Sequence, residues 1–262
     1  MRTEEEIKKE IDDLWREELS FDEKKLAEWN DRYNKLKAEL REVHEAKRLE
    51  EYNSPEAKEE RKKEWENQQK KNIVESGVGE RYVSANINSF ICSTPEQKAI
   101  LETVKQFITN PNGKNLWLIG VAGTGKTLLG AIICRYTGAK YIKSFKLKDE
   151  LDYARSFNAK KTPSEVIDDY AKIPVLVIDE VGRYKNPQEQ EYMFRLLNER
   201  YEIKNPTVLI SNMDKKEFGE YLGNPIVDRF RENCKSLEFK GESYRAKDRT
   251  EWGNEINNSL FE

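Results

Sequence analysis

Residues 116–127 read Leu116-Trp117-Leu118-Ile119-Gly120-Val121-Ala122-Gly123-Thr124-Gly125-Lys126-Thr127. The first four are apolar, the pattern of a short strand buried on both faces, and they run directly into a GxxxxGK[ST] loop. The loop glycines let backbone N–H groups curl toward phosphate oxygens with no side chain in the way. Lys126 is placed to reach the β- and γ-phosphates of a nucleotide, and Thr127 to offer its hydroxyl to Mg²⁺. Leu128 and the following Leu129-Gly130-Ala131-Ile132-Ile133 open a helix whose N-terminal dipole favours an anion. The expected phosphate cradle is therefore Gly120, Val121, Ala122, Gly123, Thr124, Gly125, Lys126, Thr127 and Leu128.

Downstream, Val175-Leu176-Val177-Ile178 is a second apolar run and ends in Asp179-Glu180. Parallel sheets place ligands at the C-terminal ends of such strands. Asp179 is expected in the Mg²⁺ shell, and Glu180 is expected to orient or deprotonate an attacking water. Asp179-Glu180-Val181-Gly182 also fits the DxxG of GTPases, but no NKxD element for guanine follows, so ATP is the expected nucleotide. A third run, Thr207–Ser211, ends at Asn212, whose amide is placed to touch a γ-phosphate or the lytic water.

Further strands are expected at Tyr141–Ser144 and Ser236–Phe239, giving five. Helix starts are marked by Thr94-Pro95-Glu96-Gln97, Thr162-Pro163-Ser164-Glu165 and Asn186-Pro187-Gln188-Glu189, each an N-cap followed by proline at the first helical position. Asn224-Pro225 opens another helix. Alternating strands and helices predict an α/β domain over 90–262, a parallel sheet with helices on both faces.

Residues 1–52 follow a different grammar. Leu26, Trp29, Tyr33, Leu36, Leu40 and Val43 step by helical spacing, and Ile7, Ile11 and Leu14 suggest a shorter helix before them. Ser20-Phe21-Asp22-Glu23 reads as a capping box between the two. The narrow stripe fits a helical hairpin that pairs with itself or docks a partner helix. Residues 53–89 read as a polar linker, with a marginal helix over 53–75. Lys and Arg number 46 against 49 Asp and Glu, a balance that argues against bulk attraction to nucleic acid or membrane. Cys92, Cys134 and Cys234 are scattered and His44 is the single histidine, so neither a zinc site nor a disulfide framework is expected. The acidic start lacks an apolar signal segment and no run is long enough to span a membrane, so a soluble, cytoplasmic protein is expected.

Near the end, Asn224-Pro225-Ile226-Val227-Asp228-Arg229-Phe230 carries an arginine suited to a neighbouring subunit's γ-phosphate, and Arg245 follows in Glu242-Ser243-Tyr244-Arg245. At these residues the chain resembles the bacterial and phage replicative-helicase loaders of the DnaC and DnaI group, close to the IstB-like ATPases. The resemblance runs over residues 63 to 250 and rests on GVAGTGKT, VLVIDEVG, PTVLISNMD, Val227–Phe230, the Ser243-Tyr244-Arg245 ending and the 67–77 stretch. It implies an AAA+ ATPase preceded by an all-helical N-terminal domain. Lys126 and Thr127 would be Walker A, Asp179 and Glu180 Walker B, Asn212 sensor 1, Arg229 the arginine finger in trans and Arg245 a sensor 2-like residue. The implied partners are a hexameric DnaB-type helicase bound through the N-terminal helices, single-stranded DNA, and further copies of the chain joined through ATP. Lys143, Lys146, Lys148 and Arg155 are candidate DNA contacts. The chain departs from the zinc-binding version of the loader's front domain, and little room remains after Arg229 for a helical lid. A transposition helper of the IstB type is the rival reading.

Overall fold

The computed structural model describes residues 2–16, 23–184 and 186–244, with backbone alone at 23 and 24. Arg245 and the residues after it, and the 20–22 part of the expected capping box, lie outside the described residues. The chain divides into two units, Met1–Glu66 and Asn67–Glu262.

The first unit is a helical hairpin of α1 (Glu4–Arg16) and α2 (Glu23–Asn53). Ile7 and Leu14 of α1 bury against Leu36 of α2, flanked by Ile11, Trp29, Tyr33, Leu40 and Val43. The stripe of α2 is thus largely taken up by α1. Trp29 Nε1 donates to Leu14 O at 3.0 Å, and the Trp15 and Trp29 rings meet edge-on with centroids 4.8 Å apart. Leu26, a turn before Trp29 in α2, is 44% exposed.

The stretch expected as a linker with a marginal helix contains α3 (Pro55–Glu75), a continuous helix of 21 residues. Its start explains it. Ser54 accepts from Ala57 N at 3.1 Å and Pro55 opens the first turn, the same cap-then-proline pattern seen elsewhere in the chain.

The second unit is built on a sheet of five parallel strands in the order β2-β3-β4-β1-β5: β1 (Asn115–Gly120), β2 (Lys140–Lys143), β3 (Leu176–Asp179), β4 (Thr207–Ile210) and β5 (Cys234–Phe239). Every expected strand is present. Successive side chains point to opposite faces, so each apolar run feeds two cores. Leu116, Leu118, Val177, Val208 and Ile210 pack with α4 (Pro95–Thr109) and α5 (Lys126–Thr137). Trp117, Ile119, Leu176, Ile178 and Leu209 pack on the other face. That face is covered by α6 (Ser144–Tyr153), α7 (Pro163–Lys172), α8 (Pro187–Glu202), α9 (Lys215–Leu222) and α10 (Asn224–Phe230). Gly130 lets α5 approach closely; a Cβ there would sit 2.7 Å from Ile210 Cδ1.

The caps form as the sequence suggests at Thr94 and Thr162, each with a reciprocal capping box. At α8 the cap differs. Asn186 accepts from Gln188 N and Glu189 N, while the buried Glu189 carboxylate turns away to accept from Gly182 N at 3.2 Å. It thereby fastens the loop that follows β3. Among the described residues no helix is long and apolar enough to cross a membrane.

Candidate functional site

The C-terminal ends of β1, β3 and β4 bring the phosphate loop, the Asp179-Glu180 pair and Asn212 to one edge of the sheet. Gly120 leaves β1 at φ 111°, and a Cβ there would stand 2.4 Å from Phe239 O. Only glycine fits this left-handed conformation against a neighbouring backbone. Gly125, at φ 96°, caps α5, so the N-terminus of that helix faces the loop.

Lys126 is 4% exposed and folds back on its own loop, donating to Gly120 O at 2.7 Å and Val121 O at 2.6 Å. Its ammonium thus rests on the carbonyls at the loop's entrance, from which phosphate oxygens would draw it. Thr127 Oγ1 donates to Asp179 Oδ2 at 2.8 Å. With its proton committed to Asp179, Thr127 keeps an oxygen lone pair for a cation. Asp179 is itself 3% exposed, accepting Glu180 N on Oδ1 at 2.6 Å and Tyr141 OH on Oδ2 at 2.6 Å. Burial, followed by the charge of Asp179, pushes the Tyr141 phenol well above its usual range, so it remains a donor. This donor set of one hydroxyl and one carboxylate, all hard oxygen, fits Mg²⁺ completed by nucleotide phosphates and water. Mg²⁺ would there neutralise phosphate charge.

Glu180 sits at φ 60°, a left-handed position costing a non-glycine residue about 1 kcal/mol or more. Its backbone is held by Ser144 Oγ, which donates to Glu180 O at 2.8 Å, and by Arg183 N on the same oxygen at 3.2 Å. Its carboxylate is gripped from both sides, by Lys143 Nζ at 3.0 Å and Arg183 Nη1 at 2.6 Å. Burial raises the Glu180 pKa, but hydrogen bonds from Arg183 and Lys143 outweigh it and hold the group below the ordinary carboxylate value. A carboxylate so paired is a poor base until at least one cation lets go.

Asn212 is exposed between two anchored neighbours: Ser211 Oγ donates to Val181 O at 2.7 Å, and Met213 O accepts from Gly120 N at 2.9 Å. The tip of β4 is therefore tied to both the loop and the β3 end. Arg229, on α10, is half-buried; it donates to Asn198 Oδ1 of α8 and lies 5.9 Å from the Tyr201 ring centroid. It is held within its own chain and not gathered with Lys126 and Asp179. Before the undescribed Arg245, Tyr244 N donates to Gly123 O at 3.0 Å, and a Cβ on Gly123 would meet Ser243 Oγ at 1.9 Å. Ser243 and Tyr244 thus pack on the phosphate loop.

Among the suggested DNA contacts, Lys143 is spent on Glu180, Lys148 pairs with Asp152 at 2.5 Å and Arg155 lies over the Tyr192 ring at 5.0 Å. Lys146 is exposed. Three site residues were not visible in the sequence: Tyr141, Arg183 and Lys143 in its role as partner of Glu180. The sheet order, which sets β2 beside β3, brings Tyr141 and Lys143 to the carboxylates, and no local pattern encodes that order.

An ATP-binding protein of insertion sequence IS232 from Bacillus thuringiensis is 31% identical over 146 residues, 52% of this chain and 57% of its own length. The chain thus spans little more than half of that relative. The replicative helicase loader DnaC of Buchnera aphidicola is 26% identical over 179 residues, 65% of this chain and 73% of its own. The crystal structure of the DnaC helicase loader superposes with a TM-score of 0.55 at 21% identity, covering 62% of this chain and all of that one, which places the sheet domain in the AAA+ fold. The family model for the IstB-like ATP binding protein matches residues 82–252, more than half of the sequence and all five strands. The chain belongs to the IstB-like ATP-binding protein family.

Proposed function

We propose that the chain is a Mg²⁺-dependent ATPase that binds a replicative DnaB-type helicase and helps deposit it on single-stranded DNA, with hydrolysis releasing the loader. The reach of the similarity carries this reading: the match to DnaC extends over 179 residues and 73% of that protein, against 146 residues and 57% of the IS232 protein. In this reading Lys126 swings from the loop carbonyls onto the β- and γ-phosphates. Thr127 and Asp179 hold Mg²⁺, Asn212 orients the lytic water, and Glu180, once released from Lys143 or Arg183, takes its proton. Arg229 leaves Asn198 to act on the γ-phosphate of an adjacent copy, and Arg245 serves as the sensor 2-like contact to nucleotide. DNA is held by exposed groups such as Lys146 and by the fully exposed Phe157, between Arg155 and Lys160, whose ring offers a base-stacking surface. The hairpin of residues 1–52 docks the helicase in the cytoplasm.

The second reading is a transposition helper, favoured by the higher identity to the IS232 protein. Retention of host proteins on the immobilised full chain, identified by mass spectrometry, separates the two. Recovery of the replicative helicase is expected; recovery of a transposase without helicase selects the rival. The chemistry has its own test. Glu180→Gln should bind ATP within about threefold of wild type while hydrolysis falls at least about a hundredfold. Turnover at the wild-type rate removes Glu180 as the base.

A further inference from the structure

We propose that Tyr141 is a positioning residue for the nucleotide-bound cation: its phenol fixes Asp179 in the orientation that accepts the Thr127 proton, and so sets which face Thr127 presents to Mg²⁺. This rests on the nucleotide-site reading above. β2 pairs with β3 so that Tyr141 lies opposite Val177 and Lys143 opposite Asp179. Tyr141 is therefore one two-residue repeat, about 6.6 Å, behind the carboxylate along the strand. An aliphatic side chain there would fill the core and stop short. Tyrosine spans the gap, with its ring in the apolar layer at 9% exposure and its hydroxyl on Asp179 Oδ2 at 2.6 Å.

The same oxygen accepts from Thr127 at 2.8 Å, and the other accepts from Glu180 N at 2.6 Å. Three donors hold one carboxylate, each from a different direction. Thr127 and Glu180 N belong to the loop and the strand end that nucleotide must engage. Tyr141 comes from the neighbouring strand and is the member of the set whose place does not depend on nucleotide. Without its proton, Asp179 would keep the two remaining partners but could rotate between them, and Thr127 could turn its own proton toward the cation.

Tyr141 is also where the segment after α3 is fastened. Its backbone N donates to Ser76 O at 2.8 Å, and Lys140 Nζ donates to Glu75 O at 2.6 Å. Ser76 is buried and its hydroxyl bridges Ile73 O and Val78 N. Gly77, at φ 90°, lies so close that a Cβ would be 3.1 Å from Tyr141 O. One residue thus joins the 75–78 segment, through its backbone, to the metal-side carboxylate, through its side chain.

The test is Tyr141→Phe in the full chain, with a fluorescent ATP analogue titrated in EDTA and then in increasing Mg²⁺. Affinity in EDTA should stay within about twofold of wild type, while the Mg²⁺ concentration at half-effect rises about tenfold, as for loss of other outer-shell partners. An unchanged Mg²⁺ titration overturns the proposal. So does an equal loss with and without Mg²⁺ accompanied by a lower Tm, which assigns Tyr141 to packing alone. If wild type itself shows no Mg²⁺-dependent gain in affinity, the reading of Thr127 and Asp179 as the metal side falls, and this proposal with it.

Discussion

In the hairpin, Ile7, Leu14 and Leu36 form the buried seam among the described residues, and the charges around it, such as Glu4 with Lys8 and Lys47, meet in water. In the sheet domain two apolar layers enclose the central strands, and polar groups are buried with them: Asp179, Glu189, Thr207 and the whole of Arg200. Exposed ion pairs contribute little, because solvent and salt screen them. Buried polar groups are costly when unpaired, so such groups call for specific hydrogen-bond partners, donor to acceptor. The hairpin is held by a short apolar seam with few buried members. The sheet domain is held by contacts that specify a single arrangement, as a site built from three strand ends requires.

Arg200 offers the severest test of that contrast. It is fully buried, and among the described residues its guanidinium meets no carboxylate. Nε donates to Thr207 Oγ1 at 2.8 Å; Nη1 donates to the carbonyls of Tyr170, Ala171 and Ile173 at 2.7 to 2.9 Å; Nη2 donates to Pro206 O at 2.5 Å. Burial lowers its pKa from 12.5 to about 10, which leaves it charged at neutral pH. It pins the end of α7 to the start of β4. Arg200→Met removes these donors together and leaves buried carbonyls unmatched, so denaturant unfolding should show a loss of about 3–5 kcal/mol. A loss below about 1 kcal/mol would mean that the network is incidental and that apolar layers alone hold the domain.

Arg200 also marks where the sequence becomes hard to read. Strands β1, β3 and β4 are legible because continuous apolar runs have few other uses, and the caps at Thr94, Thr162 and Asn186 because their side chains act within three residues. The residues from Gly120 to Thr127, with Asp179, Glu180 and Asn212, stand out because phosphate chemistry demands their spacing. Tyr141 and Lys143 do not, since their roles arise only when the sheet order sets β2 beside β3. Arg200 left a faint trace: it follows Met193, Leu196 and Leu197 at helical spacing, an arginine on an apolar stripe. Helix α3, expected only as marginal, left a plainer one, since Ser54-Pro55 repeats the start signal of the other helices.

The smaller test falls on the hairpin. Leu14 is 1% exposed in the seam it forms with Ile7 and Leu36, and its backbone carbonyl also receives Trp29 Nε1. Leu14→Ala removes a side chain from a seam with few others, so the hairpin should lose about 2–3 kcal/mol. Because Met1–Glu66 and Asn67–Glu262 are separate compact units, the loss should stay local. Hydrogen exchange in α1 and α2 should accelerate markedly, while exchange in the five strands and the affinity for ATP remain as in wild type. Acceleration across both units would show that they unfold as one, and the hairpin would then be part of the nucleotide domain's stability and not a separately adaptable surface.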